Sequence, residues 1–169
     1  AGGSVVNAGA GADQVTVGAD NDGVHDDVIN LGESGDVVLV TDAQLSAHLT
    51  VVGGGGGDRL IISDDAAIVD ADLAGISELE ILKLSADAVD NAQSVTLASN
   101  AASAGITTLD AADVGADDNV SINAAGFANA LDVTTSSGDD VIVLGSGGSV
   151  VHAGDGANTV SVGALSDNI

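Results

Sequence analysis

The acidic side chains and the glycines just before them are the residues whose types and spacing could do chemistry. Asp supplies 23 of the 26 acids, and Glu appears only as Glu33, Glu78 and Glu80. The run Gly53-Gly54-Gly55-Gly56-Gly57-Asp58-Arg59-Leu60-Ile61 fits the pattern G-G-x-G-x-D-x-U-x, with U apolar, at every fixed position. Residues 8–16 fit it with Ala in the first Gly slot, and residues 153–161 fit it with Ala first and Asn158 for Asp. Residues 135–143 keep the last Gly, the Asp and the apolar triplet. A Gly-rich turn can take φ > 0 and aim its carbonyls inward. The Asp two positions after the last Gly adds a carboxylate, kept close to the turn by its short side chain. That all-oxygen set suits a hard cation, and calcium takes about six to eight oxygen ligands at roughly 2.3–2.6 Å. The ligands predicted on this ground are Gly11 and Asp13, Asp36, Gly54, Gly56 and Asp58, Gly138 and Asp140, and Gly156 and Asn158. Asp20, Asp22 and Asp27 are placed in an enlarged acidic loop around further calcium. The same Gly-Asp pairs also form turns without metal.

Positioning such turns requires short strands at a fixed spacing. Asp140, Ser149 and Asn158 lie nine residues apart, as do Ser4, Asp13 and Asp22, and likewise Asp27 and Asp36. A five-residue insertion, Gly23 to Asp27, separates the two series. Each nonapeptide reads as half a coil, so turns on one edge are expected two nonapeptides apart, as Asp140 and Asn158 are. Across the insertion, Asp13 and Asp36 are expected to share the edge opposite Asp22 and Asp27. Residues 64–130 lack nonapeptides but carry β-rich runs at 80–84, 94–97, 107–111, 120–123 and 131–134. These alternate apolar and small polar residues, the pattern of a half-buried strand. The predicted fold is all-β: one parallel β-solenoid over residues 1–169, with few or no helices. Its coils are nonapeptide-like over 1–63 and 131–169 and longer and irregular over 64–130. Short helical turns are expected at Asp42–His48, capped by Asp42, at 64–73 and at 85–93.

These residues resemble the calcium-binding RTX nonapeptide family of secreted bacterial proteins, over roughly residues 1–63 and 131–163. The resemblance implies a parallel β-roll in which the first six residues of each repeat form a turn and the last three a strand. Calcium would lie between stacked turns. Residues 76–84 also look like the leucine-bearing segments between nonapeptide blocks in RTX-type surface-layer proteins and large adhesins.

Composition narrows the function classes. One Arg (Arg59) and one Lys (Lys83) against 26 acids give a formal net charge of −24. Nucleic acid is excluded as a direct partner, because phosphate binding needs a basic surface. No apolar run approaches the ~18–20 residues of a membrane helix, so no membrane insertion is expected. With apolar residues at 45%, the chain is not a disordered acidic tail. A single aromatic residue, Phe127, implies a thin layered core that Phe127 plugs. The absence of Cys excludes thiol catalysis and disulfides. No H-E-x-x-H, G-x-S-x-G or Walker-type lysine is present. Neither an enzyme nor a small-molecule substrate is therefore expected. His25, His48 and His152 receive no role, and Arg59 and Lys83 are expected to pair with nearby acids. The chain opens on Ala1 without Met or leader and reads as a processed product or an excised segment. The expected function is that of a secreted, calcium-binding structural solenoid at the cell surface. Its open ends imply a homo-oligomer, joined end to end in a surface layer, filament or adhesin stalk. The alternative is a calcium-dependent folding module of a larger exported enzyme or toxin.

Overall fold

Alternation along the short strands decides which side chains face inward. Val37-Val38-Leu39-Val40, Arg59-Leu60-Ile61-Ile62 and Ile81-Leu82-Lys83-Leu84 each alternate half-buried and buried positions. A pleated strand with one packed face requires this. A computed structural model describes residues 3–18, 26–45, 48–85, 92–115, 118–163 and 168–169. The chain is a parallel β-solenoid, nearly all β, with coils stacked in three sheets.

The first coils run between two sheets. Strands β1 (Val5–Ala10), β3 (Asp27–Glu33) and β5 (Leu49–Gly55) build sheet A. Strands β2 (Gln14–Thr16), β4 (Val37–Val40) and β6 (Arg59–Ile62) begin sheet B. The following coil visits three sides. Strand β7 (Ala67–Ile68) opens sheet C, β8 (Ile76–Ser77) closes sheet A, and β9 (Ile81–Leu84) returns to sheet B. Thereafter β10 (Gln93–Thr96), β12 (Val120–Asn123), β14 (Val141–Val143) and β16 (Thr159–Ser161) extend sheet C. Strands β11 (Thr108–Asp110), β13 (Asp132–Thr134) and β15 (Val150–His152) complete the seven rungs of sheet B. The β-runs read from the sequence at 80–84, 94–97, 107–111, 120–123 and 131–134 all contain strands.

Parallel register stacks like on like. Val15, Val38, Leu60, Leu82, Leu109, Val133 and Val151 form one inward column of sheet B. Ile68, Val95, Ile122, Ile142 and Val160 form its counterpart in sheet C. Phe127 is buried in the same core, the plug expected of the lone aromatic. Coil length is not uniform. At the turns into β2, β4 and β6, Asp13 precedes Asp36 by 23 residues and Asp36 precedes Asp58 by 22 residues. Lys83 and Asp110, paired across β9 and β11, are 27 residues apart. Leu131 and Ser149, just before β13 and β15, are 18 residues apart. In sheet B the coil of two nonapeptides thus holds at the C-terminal end alone. Elsewhere the insertion and the longer turns lengthen the path without changing which side chains face in.

The expected helical turns are partly corrected. A 3-10 turn spans Asp42–Gln44, but Asp42 is not its cap. Thr41 precedes it, and Thr41 N–H donates to Gln44 Oε1 at 2.7 Å. Asp42 instead donates its backbone N–H to Asp64 Oδ1 at 2.7 Å. Within 64–73 the helical part is a 3-10 turn at Asp70–Leu73, after β7. Of the expected turn at 85–93, residues 86–91 lie outside the described residues, and Gln93 opens β10. The α-helix α1 (Ser99–Ala104) is not among the expected elements. Its cap comes from another coil: the Asp70 carboxylate accepts N–H bonds from Ala98, Asn100 and Ala101 at 2.7, 3.0 and 3.0 Å. Buried Ala101 and Ala104 let α1 lie close against β8, where sheet A ends.

Truncating the central column tests this packing. Leu82→Ala should lose about 2–5 kcal/mol of unfolding free energy in urea. Val5→Ala, at a side chain 66% exposed, should stay within about 0.5 kcal/mol of the parent.

Candidate metal-binding turns

The turns that lead into sheet B place an acid at the same point of four successive coils: Asp13, Asp36, Asp58 and Glu80. The carboxylates of Asp36, Asp58 and Glu80 each accept the backbone N–H of the counterpart one coil earlier. Asp13 N–H donates to Asp36 Oδ1 at 2.7 Å, Asp36 N–H to Asp58 Oδ1 at 2.8 Å, and Asp58 N–H to Glu80 Oε2 at 2.8 Å. Two residues before each acid the backbone is left-handed, at Gly11 (φ 117°), Ser34 (93°), Gly56 (144°) and Glu78 (53°). Ser34 and Glu78 hold this conformation despite their Cβ, which disfavours it. In the Asp36 and Asp58 turns the stacking is also too close for a side chain at the preceding glycine, Gly32 or Gly54. A Cβ on Gly54 would lie 2.1 Å from Gly32 O.

A second ladder leads into sheet C. Asp140 Oδ1 accepts Val120 N–H at 2.8 Å, and Asn158 Oδ1 accepts Asp140 N–H at 2.9 Å. Beside it, Asn119 Oδ1 accepts Asp139 N–H at 2.8 Å, and Asp139 Oδ1 accepts Ala157 N–H at 2.7 Å. Asp13, Asp36 and Asp58 therefore share one edge, and Asp140 and Asn158 another. Asp27 lies at the opposite edge from Asp13 and Asp36, where it opens β3 and its Oδ1 accepts Ser4 N–H at 2.6 Å. Asp20 and Asp22 lie outside the described residues.

Asp and Asn differ instructively in these turns. The second side-chain oxygens of Asp13, Asp36, Asp58 and Asp140 are buried without a hydrogen-bond partner. Asp36 and Asp140 are 1% exposed and Asp58 0%. At Asn158 the corresponding atom is the amide nitrogen. It donates to the carbonyls of Ala153, Asp155 and Gly154 at 2.9, 3.1 and 3.4 Å. Three carbonyls of one Gly-rich turn thus converge on a single donor. In the Asp turns a carboxylate oxygen takes that donor's place, and Asp58 Oδ2 lies against Gly53, the counterpart of Ala153 (a Cβ there would be 2.6 Å away). An oxygen facing such a turn wants a positive charge between. Among the described residues, no three His, Cys, Asp or Glu side chains come together as a metal group. A cation at these turns would therefore take carbonyls as most of its ligands, and the donor set fits calcium.

Motif reading misses Glu80 as a ladder member. Its signal is the interval: 22 residues separate Asp58 from Glu80, as they do Asp36 from Asp58. Burial raises Asp58 above the usual 3.8, only partly offset by the Asp36 N–H bond, and the Glu80 and Asp36 charges push further. Burial also raises Asp42, with the Asp64 and Asp72 charges adding to it. Asp110 goes the other way. Burial would raise it, but the bond from Lys83 and the nearby cations hold it below 3.8. Lys83 lies 2.8 Å from Asp110 and 2.7 Å from Asp113, the pairing expected of it. Comparison of the chain with protein-family models, curated proteins and solved structures found no match.

Two outcomes follow for the metal-free chain. Asp58→Asn should raise its stability by about 1 kcal/mol in EDTA, because the amide can donate where the carboxylate cannot. It should also remove part of any calcium-induced gain in Tm. A native-state pKa above the unfolded value of 3.8 makes Asp42 and Asp58 oppose folding as pH rises past it. Asp110, held below 3.8, favours folding at every pH above that value. In EDTA, Tm should therefore rise as pH falls through the raised native pKa values toward 3.8, and Asp58→Asn should reduce that rise.

Proposed function

We propose that this chain is a calcium-stabilised structural β-solenoid of an RTX-like type, secreted and built into an extracellular assembly. The observation that carries the reading is the set of buried, unpartnered carboxylate oxygens in stacked Gly-rich turns. Asp36, Asp58 and Asp140 supply one each, and Asp13 another at the first described coil. Calcium supplies positive charge to such oxygens and coordinates the turn carbonyls in their stead. The residues that would hold it are Asp13, Asp36 and Asp58 on the sheet B edge and Asp140 on the sheet C edge. Asn158, whose amide already satisfies its own turn, would contribute only its Oδ1 edge of the ladder. No catalytic role is proposed.

Self-association is the second part of the proposal. Strand β1 is largely exposed along its length, and among the described residues β1, β2 and β16 each present one unpaired edge at an end of a sheet. Unpaired edges of this kind recruit further strands, so coils of neighbouring molecules are the proposed partners.

Circular dichroism in EDTA and in millimolar calcium tests the first part. Calcium should increase the β signal and raise Tm. An unchanged spectrum and Tm would remove calcium from the reading. Electron microscopy and light scattering of the calcium form test the second. Filaments or sheets are expected. A monomer at high concentration would refute self-association and favour a folding module of a larger exported protein.

A further inference from the structure

The carboxylates are satisfied differently along the solenoid. In the outer coils the second oxygens of Asp13, Asp36, Asp58 and Asp140 are buried and unpartnered. In the middle coils Asp70 and Asp110 have protein partners instead. Asp70 accepts three backbone N–H bonds at the start of α1. Asp110 holds Lys83. Beyond Glu80 the sheet B edge closes for two rungs without a carboxylate, mostly through backbone bonds. Thr107 and Thr108 N–H donate to Glu80 O at 2.9 and 3.1 Å, and Asp132 N–H donates to Thr107 O at 2.9 Å.

Packing sets only the outermost strands apart, since Leu31, Val38 and Ile142 of the flanking coils are 0% exposed like the central leucines. Leu79, Leu82, Leu84, Leu97 and Leu109 are all 0% exposed, and Phe127 is 2% exposed. α1 covers the end of sheet A, with Leu79 N–H donating to Ala104 O at 2.9 Å. At the outer ends, Val5 is 66% and Val6 36% exposed, and β2 and β16 bury no residue fully.

We infer that the coils from β8 to β13 form a hub that folds without metal. The flanking coils, β1 to β6 and β14 to β16, dock onto it only when a cation occupies their turns. The inference rests on the calcium reading and adds to it a regulation. Because a solenoid gains stability from nearest-neighbour interfaces, its ends can open while its centre stays closed. Calcium would then switch the terminal coils, the same coils that carry the unpaired edges, without unfolding the molecule.

Hydrogen exchange of the full chain, read by mass spectrometry in EDTA and in millimolar calcium, tests this. In EDTA, amides of residues 81–84 and 108–110 should exchange at least about 100-fold more slowly than those of 14–16, 37–40 and 141–143. Calcium should slow the latter three segments and change the former two little. The double variant Asp36→Asn, Asp58→Asn should protect 14–16 and 37–40 in EDTA and leave 141–143 dependent on calcium. If all segments exchange equally fast in EDTA and calcium protects them together, the hub is overturned and the calcium reading stands. If calcium alters no segment, the calcium reading falls and the switch with it. If the double variant leaves residues 14–40 unprotected in EDTA, the carboxylates are not what holds the end open, and the inference fails.

Discussion

A carboxylate of one coil accepting the backbone N–H of the coil before it is the interaction on which the register of this solenoid depends. A parallel sheet is bonded evenly along its strands, and a slip of two residues keeps the same side chains facing in, so short rungs alone hold the register weakly. The turn bond removes that freedom. Asp36 beneath Asp13, Asp58 beneath Asp36 and Glu80 beneath Asp58 lock the rungs of sheet B one after another. Once the acids are aligned, the aliphatic columns align with them, because the strand starts one residue later. Leu60 then falls over Leu82 and Leu82 over Leu109.

The same geometry creates the electrostatic problem. In Asp36, Asp58 and Asp140 one oxygen is used for register, and the other is left buried beside its own turn. Asn158 solves this covalently, with an N–H₂ group that donates to three carbonyls. Asp leaves it to be solved from solution, by a cation or by a proton. The net charge of −24 therefore has two components. Part lies on the surface and acts through self-repulsion. A smaller part lies inside the turns, on carboxylates that are almost fully buried.

The architecture was largely legible in the sequence, element by element. The nine-residue phase of Asp140, Ser149 and Asn158 fixes the coil length at the C-terminal end, where Asp140 and Asn158 stack at a separation of 18 residues. Period-two runs such as Ile81–Leu84 located the middle strands, because a strand with one packed face imposes that alternation. The sharing of one edge by Asp13 and Asp36 followed from the size of the insertion. Other features lay out of reach for a common reason. Glu80 differs in residue type from the acids it continues. Its turn carries Glu78 where those of Asp13 and Asp58 carry Gly11 and Gly56, so no motif marks it. α1 is a six-residue segment whose cap is Asp70, 28 to 31 residues earlier. Local capping signals read only the adjacent residues.

The amino-acid sequence by itself determined the fold class, the parallel stacking and the oxygen-rich chemistry of the turns. Each of these is set by local rules: side-chain alternation, glycine conformation and the reach of an aspartate. Only the tertiary structure decided that sheet A gives way to sheet C partway along, with sheet B continuous through both. It alone decided which carboxylate oxygens end without a partner. Both depend on what stacks above and below a given turn. That is fixed by the length of each whole coil, and coil length differs between the Asp13–Asp36, Lys83–Asp110 and Asp140–Asn158 steps. A single nonapeptide motif, being shorter than any coil, cannot contain that information.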